Sequence, residues 1–471
     1  MRSLIIYILM FLFGLTGFAQ DSLNNVLTYE EYMRIVKTHH PVARQANILV
    51  ESSGAYLNKA QGAFDPTLSG SANQKYFKDQ QYYSMLNGQL KIPTWFGVSF
   101  HGGYDLNNGI YLNPERNLPD DGLWYAGINV SLGKGLIIDE RRAQYKKAKI
   151  YQEASIQEQI LLLNDLQLNA SIAYWEWFKA STKVVIYEEA VDNAQERFEN
   201  VKQSAILGDK PFIDTLEAYI QLQNRLIKLL DAELEKMNSQ SYMEIFLWQD
   251  GFVPVEIESS ISCPGLNNIS YRTIDPQLAL RVDSLKTYHP EILNTQYKID
   301  QKKVDLQLSQ NNLLPELNFK YNALTYSDDG NLMDNYSVNN YNWGAQVKIP
   351  LFLRKERGDL RINKLKLESL EYDLAFKTEQ LEYKIESALN GWSNSYQKIL
   401  INERVVNNYY LLLESEKVLF DIGESSLFMV NSREKAYISS RIELVEYLIE
   451  NKKSELKAYY ALGIISKNNL W

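Results

Sequence analysis

Four histidines, one cysteine and no recognisable nucleophile motif are what this sequence offers for chemistry. His39 and His40 run into Pro41, His289 runs into Pro290, and His101 stands alone among alternating polar and apolar residues. A residue before proline is pushed out of helical backbone, so His40 and His289 mark helix bends, where packing rather than metal ligation is their expected duty. Cys263 has no second thiol for a disulfide or a thiolate metal site and reads as an inert side chain. No GxxxxGK[ST] loop, HExxH helix or GxSxG elbow occurs, so nucleotide hydrolysis, zincin and hydrolase chemistry lack a starting point. The expectation is a non-enzyme with no catalytic residue, cofactor or metal, which must draw any energy from a partner.

The elements around these residues define the chain better than the residues do. Its 471 residues suit two or three ordinary domains or one elongated one. A hydrophobic content of 45% with 23% charged is ample for a core. Lys+Arg number 49 against 58 Asp+Glu, a net charge of -9, which argues against nucleic acid, because neutralising phosphates needs clustered bases. Residues 1–19 join a basic Arg2 to an apolar stretch from Leu4 to Phe13 and small residues up to Ala19. That order is a secretory signal peptide cut near Ala19, with an uncleaved anchor helix as the alternative. No later apolar run approaches a membrane-spanning helix.

The chain is a duplication. At an offset of about 249, Lys37–Pro41 (KTHHP) falls on Lys286–Pro290 (KTYHP), and Pro66 falls on Pro315. Asn129–Leu136 pairs with Gln346–Leu353, and Ile206–Tyr219 with Asp421–Glu434, which sets Gly208 on Gly423. The sequence therefore predicts a first repeat over 20–248, an inter-repeat equatorial segment over 249–275, a second repeat over 276–463 and a tail over 464–471. Each repeat reads helix, strands, very long helix, glycine turn, long helix. The first helix spans about Thr28 to Gly62, its counterpart about Pro276 to Asn312, and the very long helices about Asp139 to Leu207 and Asp359 to Ile422. Leu360, Leu367, Leu374, Leu381 and Ala388 recur every seven residues along the last of these, keeping one seam toward a partner helix.

Between the helices the period changes to two, over about 67–133 and about 316–350. Trp124, Ala126, Ile128, Val130 and Leu132 share one face and Tyr125, Gly127, Asn129 and Ser131 the other. Trp343, Ala345, Val347 and Ile349 likewise oppose Gly344, Gln346 and Lys348. Alternation with an aromatic at one end matches outer-membrane barrel strands, with Trp124 and Trp343 as candidate membrane-interface aromatics. Extra alternating stretches, Leu86–Ile92 and Phe96–Leu106, suggest a further hairpin turning at Pro93 to Phe96 and six strands per chain; a surface or periplasmic flap is the competing reading. Transmembrane barrels need at least about eight strands and open edges cannot face lipid, so several copies must share one barrel.

The chain resembles the TolC-like outer-membrane efflux proteins from Thr28 to Gly463. The resemblance rests on the duplicated plan, His40-Pro41 and His289-Pro290, the strands running into LGKGLIIDERR and IPLFLRKERG, and the turns at Gly208 and Gly423. It implies a mainly helical chain with some sheet, a homotrimer whose strands form one outer-membrane β-barrel and whose helical hairpins form a long periplasmic tunnel. It implies outer-membrane lipid around the barrel, a periplasmic adaptor and an inner-membrane pump as partners, and a passive exit duct for efflux or type I secretion. Family cargoes include drugs, metals, dyes and proteins. A periplasmic or surface coiled-coil scaffold without a pore is the alternative. In such proteins acidic residues near the second-half turn line the closed tip. Counting from the turn glycine, those positions here are Met429 and Ser432, a departure, while the matching first-half positions are Asp214 and Glu217. An i, i+3 pair shares a helical face, so these two form either a pore ring or a solvated face at an adaptor contact.

Overall fold

The computed structural model describes residues 26–258, 261–326 and 336–466, so the signal-peptide stretch 1–19 lies outside the described residues. Among the described residues, eight helices longer than one turn follow in order: α1 Tyr29–His39, α2 Pro41–Gln61, α3 Glu140–Ile206, α4 Phe212–Glu244, α5 Pro276–Thr287, α6 Pro290–Asn311, α7 Arg354–Asp421 and α8 Leu427–Ala461. Strands β1 Thr67–Phe77, β2 Gln80–Pro93, β3 Val98–Asn108 and β4 Leu123–Ser131 lie between α2 and α3. The short β5 Trp248–Gln249 and β6 Val253–Pro254 follow α4, and β7 Glu316–Thr325 and β8 Tyr341–Lys348 precede α7. No described helix is long and apolar enough to cross a membrane.

Each first helix is two helices, not the single bent one expected. His40 and His289 are extended, with ψ of 134° and 132°, because the following proline disfavours helical backbone there. Proline then takes the first helical position, where its missing N–H costs nothing. Each imidazole caps the new helix: His40 Nδ1 accepts from Val42 N at 3.1 Å, and His289 Nδ1 accepts from Glu291 N at 3.2 Å. The histidines thus act as N-caps, a duty that a packing assignment missed. Helix α7 also begins earlier than the expected Asp359, at Arg354.

By contact the chain forms two compact units. One takes in α1, α3 from Asp165 on, α4, the segment up to Ala279, α7 from Glu386 on, and α8. Its core is aromatic: Tyr32, Tyr174, Trp177, Phe178 and Trp392 are all under 2% exposed. Most of the polar atoms in this core find partners, as burial requires, and the Trp177 indole N–H is the exception. Tyr174 Oη donates to Leu27 O at 2.9 Å, Tyr29 Oη lies 2.6 Å from Ser171 Oγ, and Trp392 Nε1 donates to Arg272 O at 2.8 Å. The equatorial segment contributes the β5–β6 pair and a parallel bridge from Ser262 to Val26.

The other unit holds Arg44–Asn164 and Leu280–Ile385, and with them the main sheet. The sheet has the order β1-β2-β3-β4-β7-β8, antiparallel at every step. The segment that leaves it into α3 and the helix α6 that enters it pack on each other: Ile138, Ala143 and Val304 form a small core, and Asn311 Nδ2 donates to Ile138 O at 2.8 Å. Where the sheet meets α3, the Arg142 guanidinium donates to the carbonyls of Gly135, Leu136 and Ile137. The β2–β3 turn is braced on the same junction, with the Trp95 ring 3.9 Å from Phe64 and 4.6 Å from Tyr145.

Candidate functional site

Side chains alternate across a strand, so the pairing register assigns every residue of the sheet to a face. One face collects Leu68 and Ala72 of β1, Leu86, Leu90 and Ile92 of β2, Phe100 and Tyr104 of β3, Trp124, Ile128 and Val130 of β4, Phe319 and Tyr321 of β7, and Trp343 and Val347 of β8. No strand residue on that face is charged. The opposite face carries the lysines, carboxylates and asparagines. The sequence alternation therefore holds across all six strands, and β2 and β3 belong to the sheet rather than to a flap.

Trp124 and Trp343 both lie on the uncharged face, 42% and 60% exposed. Trp124 packs on Tyr104 with ring centroids 4.8 Å apart, and Trp343 faces Tyr321 across the ladder. With Tyr341 they gather toward the end of the sheet away from the helix junctions. The nine residues of β4 rise roughly 30 Å, or some 20–25 Å once tilted, close to the ~25 Å apolar band of a barrel wall. On the polar face Gly103 lies opposite Tyr125, and a Cβ there would meet both the Tyr125 ring and the Gly88 carbonyl. Tyr125 is buried against that gap. His101 Nε2 lies 2.6 Å from Asn322 Oδ1 beside it.

The sheet is open. Its edge strands β1 and β8 have every residue exposed, and with five antiparallel steps between them they run in opposite directions. An edge of unpaired N–H and C=O groups is a template for another strand. Because the two edges are antiparallel, β8 of one copy can add to β1 of the next and keep the alternation.

The helical turns form the second candidate region, within the other unit. Gly208 (φ 81°) and Gly423 (φ 82°) each sit in left-handed backbone. Asp209 N donates to Ser204 O and Gly208 N to Ala205 O; Glu424 N donates to Leu419 O and Gly423 N to Phe420 O. These are paired Schellman motifs, and left-handed backbone favours glycine. Around the turns a cavity of about 870 Å³ is lined by Arg197, Lys210, Asp214, Glu217, Lys417 and Phe420 among others.

Of the residues marked from the sequence, Asp214 and Glu217 lie together on α4, half-buried along this cavity. Glu217 accepts from Asn431 Nδ2 at 3.2 Å, which ties it to α8. Met429 is half-buried on the first turn of α8, its N–H donating to the capping Ser426 Oγ, and Ser432 is exposed. Sequence reasoning missed the ion pair beside them. Arg197 meets the buried Glu434 in bidentate fashion at 2.7 and 2.8 Å, Arg225 stands 3.7 Å from the same carboxylate, and Arg197 also donates to Asn431 Oδ1. No spacing rule links Arg197 to Glu434, because they lie 237 residues apart and face each other only after both hairpins form.

Long helical hairpins joined to an open sheet with one uncharged face define the TolC-like fold, and this chain has it. No protein-family model and no curated protein matches the sequence. Solved structures do match. The Campylobacter jejuni CmeC outer membrane channel aligns at a TM-score of 0.62 and 15% identity, covering 93% of this chain and 85% of that one. The open-state Neisseria gonorrhoeae MtrE outer membrane channel aligns at 0.63 and 11%, covering 94% and 92%. The Vibrio cholerae outer membrane protein VceC aligns at 0.62 and 14%, covering 92% and 95%. The likeness is one of fold.

Proposed function

We propose that this protein is an outer-membrane channel, the exit duct of a tripartite efflux or type I secretion system. The reading rests above all on the sheet: six strands, one face without a charge, and two free edges of opposite direction. Six strands cannot close alone, and free edges cannot face lipid, so copies share a barrel. Three copies, the number the resemblance implies, give eighteen strands, enough for an aqueous lumen. Trp124, Tyr341 and Trp343 would sit at the outer membrane–water border, as aromatic girdles do. The helical hairpins extend into the periplasm, where Asp214, Glu217 and the glycine turns face the tunnel tip or an adaptor. No residue performs catalysis, and transport is driven by a pump in the inner membrane through an adaptor.

Expressed with its leader in a Gram-negative host, the protein should fractionate with the outer membrane. It should run on gels at about three times the chain mass until boiled, and give stepwise conductance in planar bilayers. A chain that stays in the periplasmic fraction and conducts nothing is the coiled-coil scaffold instead.

A further inference from the structure

The polar face of the sheet carries the sign of charge opposite to that of the chain. Lys75, Lys91, Lys320 and Lys348 stand on it against two carboxylates, Asp105 and Glu316, in a protein of net charge -9. Both carboxylates are engaged locally. The Asn87 side-chain amide donates to Asp105, and Asn318 Nδ2 donates to Glu316 at 3.0 Å.

Lys91 and Lys320 are exposed, and neither has a carboxylate opposite it. Lys91 faces Thr67 on one side and His101 on the other; Lys320 faces Asn129 and Gly344. They also belong to one patch. His101, across from Lys91, contacts Asn322, the next residue along this face from Lys320, and Lys320 Nζ lies 5.9 Å from the Tyr125 ring centroid. Lys91 and His101 both come from β2 and β3, a hairpin without a counterpart among the described residues of the second repeat.

We propose that this patch makes the barrel lumen select for anions, so that negatively charged solutes, inorganic or organic, pass in preference to cations. The inference rests on the channel reading. Copies arranged around a closed barrel repeat Lys91 and Lys320 as rings, and rings of basic side chains favour anions just as acidic rings favour cations. The surrounding low-dielectric wall concentrates the field in the lumen. Asp214 and Glu217 would act in the opposite sense wherever they faced the pore, so the test removes them separately.

The test is the reversal potential of the full-length protein in planar bilayers under a roughly tenfold KCl gradient. Chloride should permeate better than potassium, with the permeability ratio falling at least about twofold in Lys91→Gln/Lys320→Gln and holding in Lys91→Arg/Lys320→Arg. The same fall should appear on an Asp214→Asn/Glu217→Gln background, where those two carboxylates contribute nothing. Gel migration before and after boiling verifies that each variant assembles, and the single Lys320→Gln exchange, with a smaller shift in the same direction, serves if the double variant does not. Conductance whose ion preference ignores both lysines overturns this inference and leaves the channel intact. Absence of any current from assembled protein overturns both.

Discussion

At the residue scale, the two His-Pro motifs show chemistry hidden in a structural role. His289 is 4% exposed, and its pKa is pushed down to about 4 by burial, helped by the nearby Lys384 ammonium. Burial also lowers that of His40. A histidine held neutral in the fold but free to protonate in the unfolded chain stabilises the protein fully above its ordinary value of 6.5. That contribution falls as pH drops from there toward about 4, where the folded state protonates as well. Protonation also removes the Nδ1 acceptor that caps α6. His289→Ala should cost about 1 kcal/mol at neutral pH, and His289→Asn should restore most of it, since asparagine caps well. Thermal denaturation of both variants between pH 4 and 7 measures this. Unchanged melting in the alanine variant would sink the capping role. The Arg197–Glu434 pair offers a second residue-scale test. Glu434 is 6% exposed, so Glu434→Ala leaves Arg197 and Arg225 without their carboxylate and should cost roughly 3 kcal/mol, well above an exposed ion pair such as Arg44–Glu51. Equal melting shifts for Glu434→Ala and Glu51→Ala would refute that ranking.

At the element scale, the strands are the most legible part of the sequence. Period-two alternation set Ile128 and Asn129 on opposite faces before any pairing was known, and the ladder kept them there. Glycine turns were legible for a similar reason: left-handed backbone leaves few residue choices at Gly208 and Gly423. The helix break at each histidine was not legible, because a proline can kink a helix or stop it, and only the extended backbone of His40 and His289 decides between the two. The tip ion pair was less legible still. Arg197 and Glu434 carry no local pattern, and only tertiary packing brings α3 to α8. Asp214 and Glu217 were located by counting from a glycine, a rule that says where they sit but not what they touch, and Glu217 proves to meet Asn431. The face assignment gives its own prediction. Ala126→Lys, on the uncharged face, should cost about 2–4 kcal/mol per chain in the membrane and reduce assembled protein, while Ser71→Lys, exposed on the polar face opposite Asn87, should be tolerated. Comparable outer-membrane yields for the two would remove the lipid-facing assignment.

At the scale of the whole molecule, the duplication explains what is shared and what is added. Both repeats supply two helices split at a His-Pro, a strand pair, and a helical hairpin closed by a Schellman turn; only the first inserts β2 and β3. That insertion raises the strand number per copy from four to six, and with it the width of any closed barrel. Removing residues 80–108 leaves β1 and β4 as antiparallel neighbours, since three antiparallel steps separate them, and gives each repeat the same strand pair. The expected outcome is a boil-sensitive gel species with a smaller single-channel conductance than the full-length protein, and loss of that species would show that closure needs the inserted hairpin.

The exposed borders at β1 and β8 carry one last implication, for timing in the cell. On the channel reading, a lone newly exported chain cannot enter the bilayer as a finished object, since its hydrogen-bonding rows would meet hydrocarbon unsatisfied. Joining its siblings and crossing into lipid must therefore be one event, and its yield should climb more steeply than linearly with expression, with surplus single chains left to periplasmic proteases.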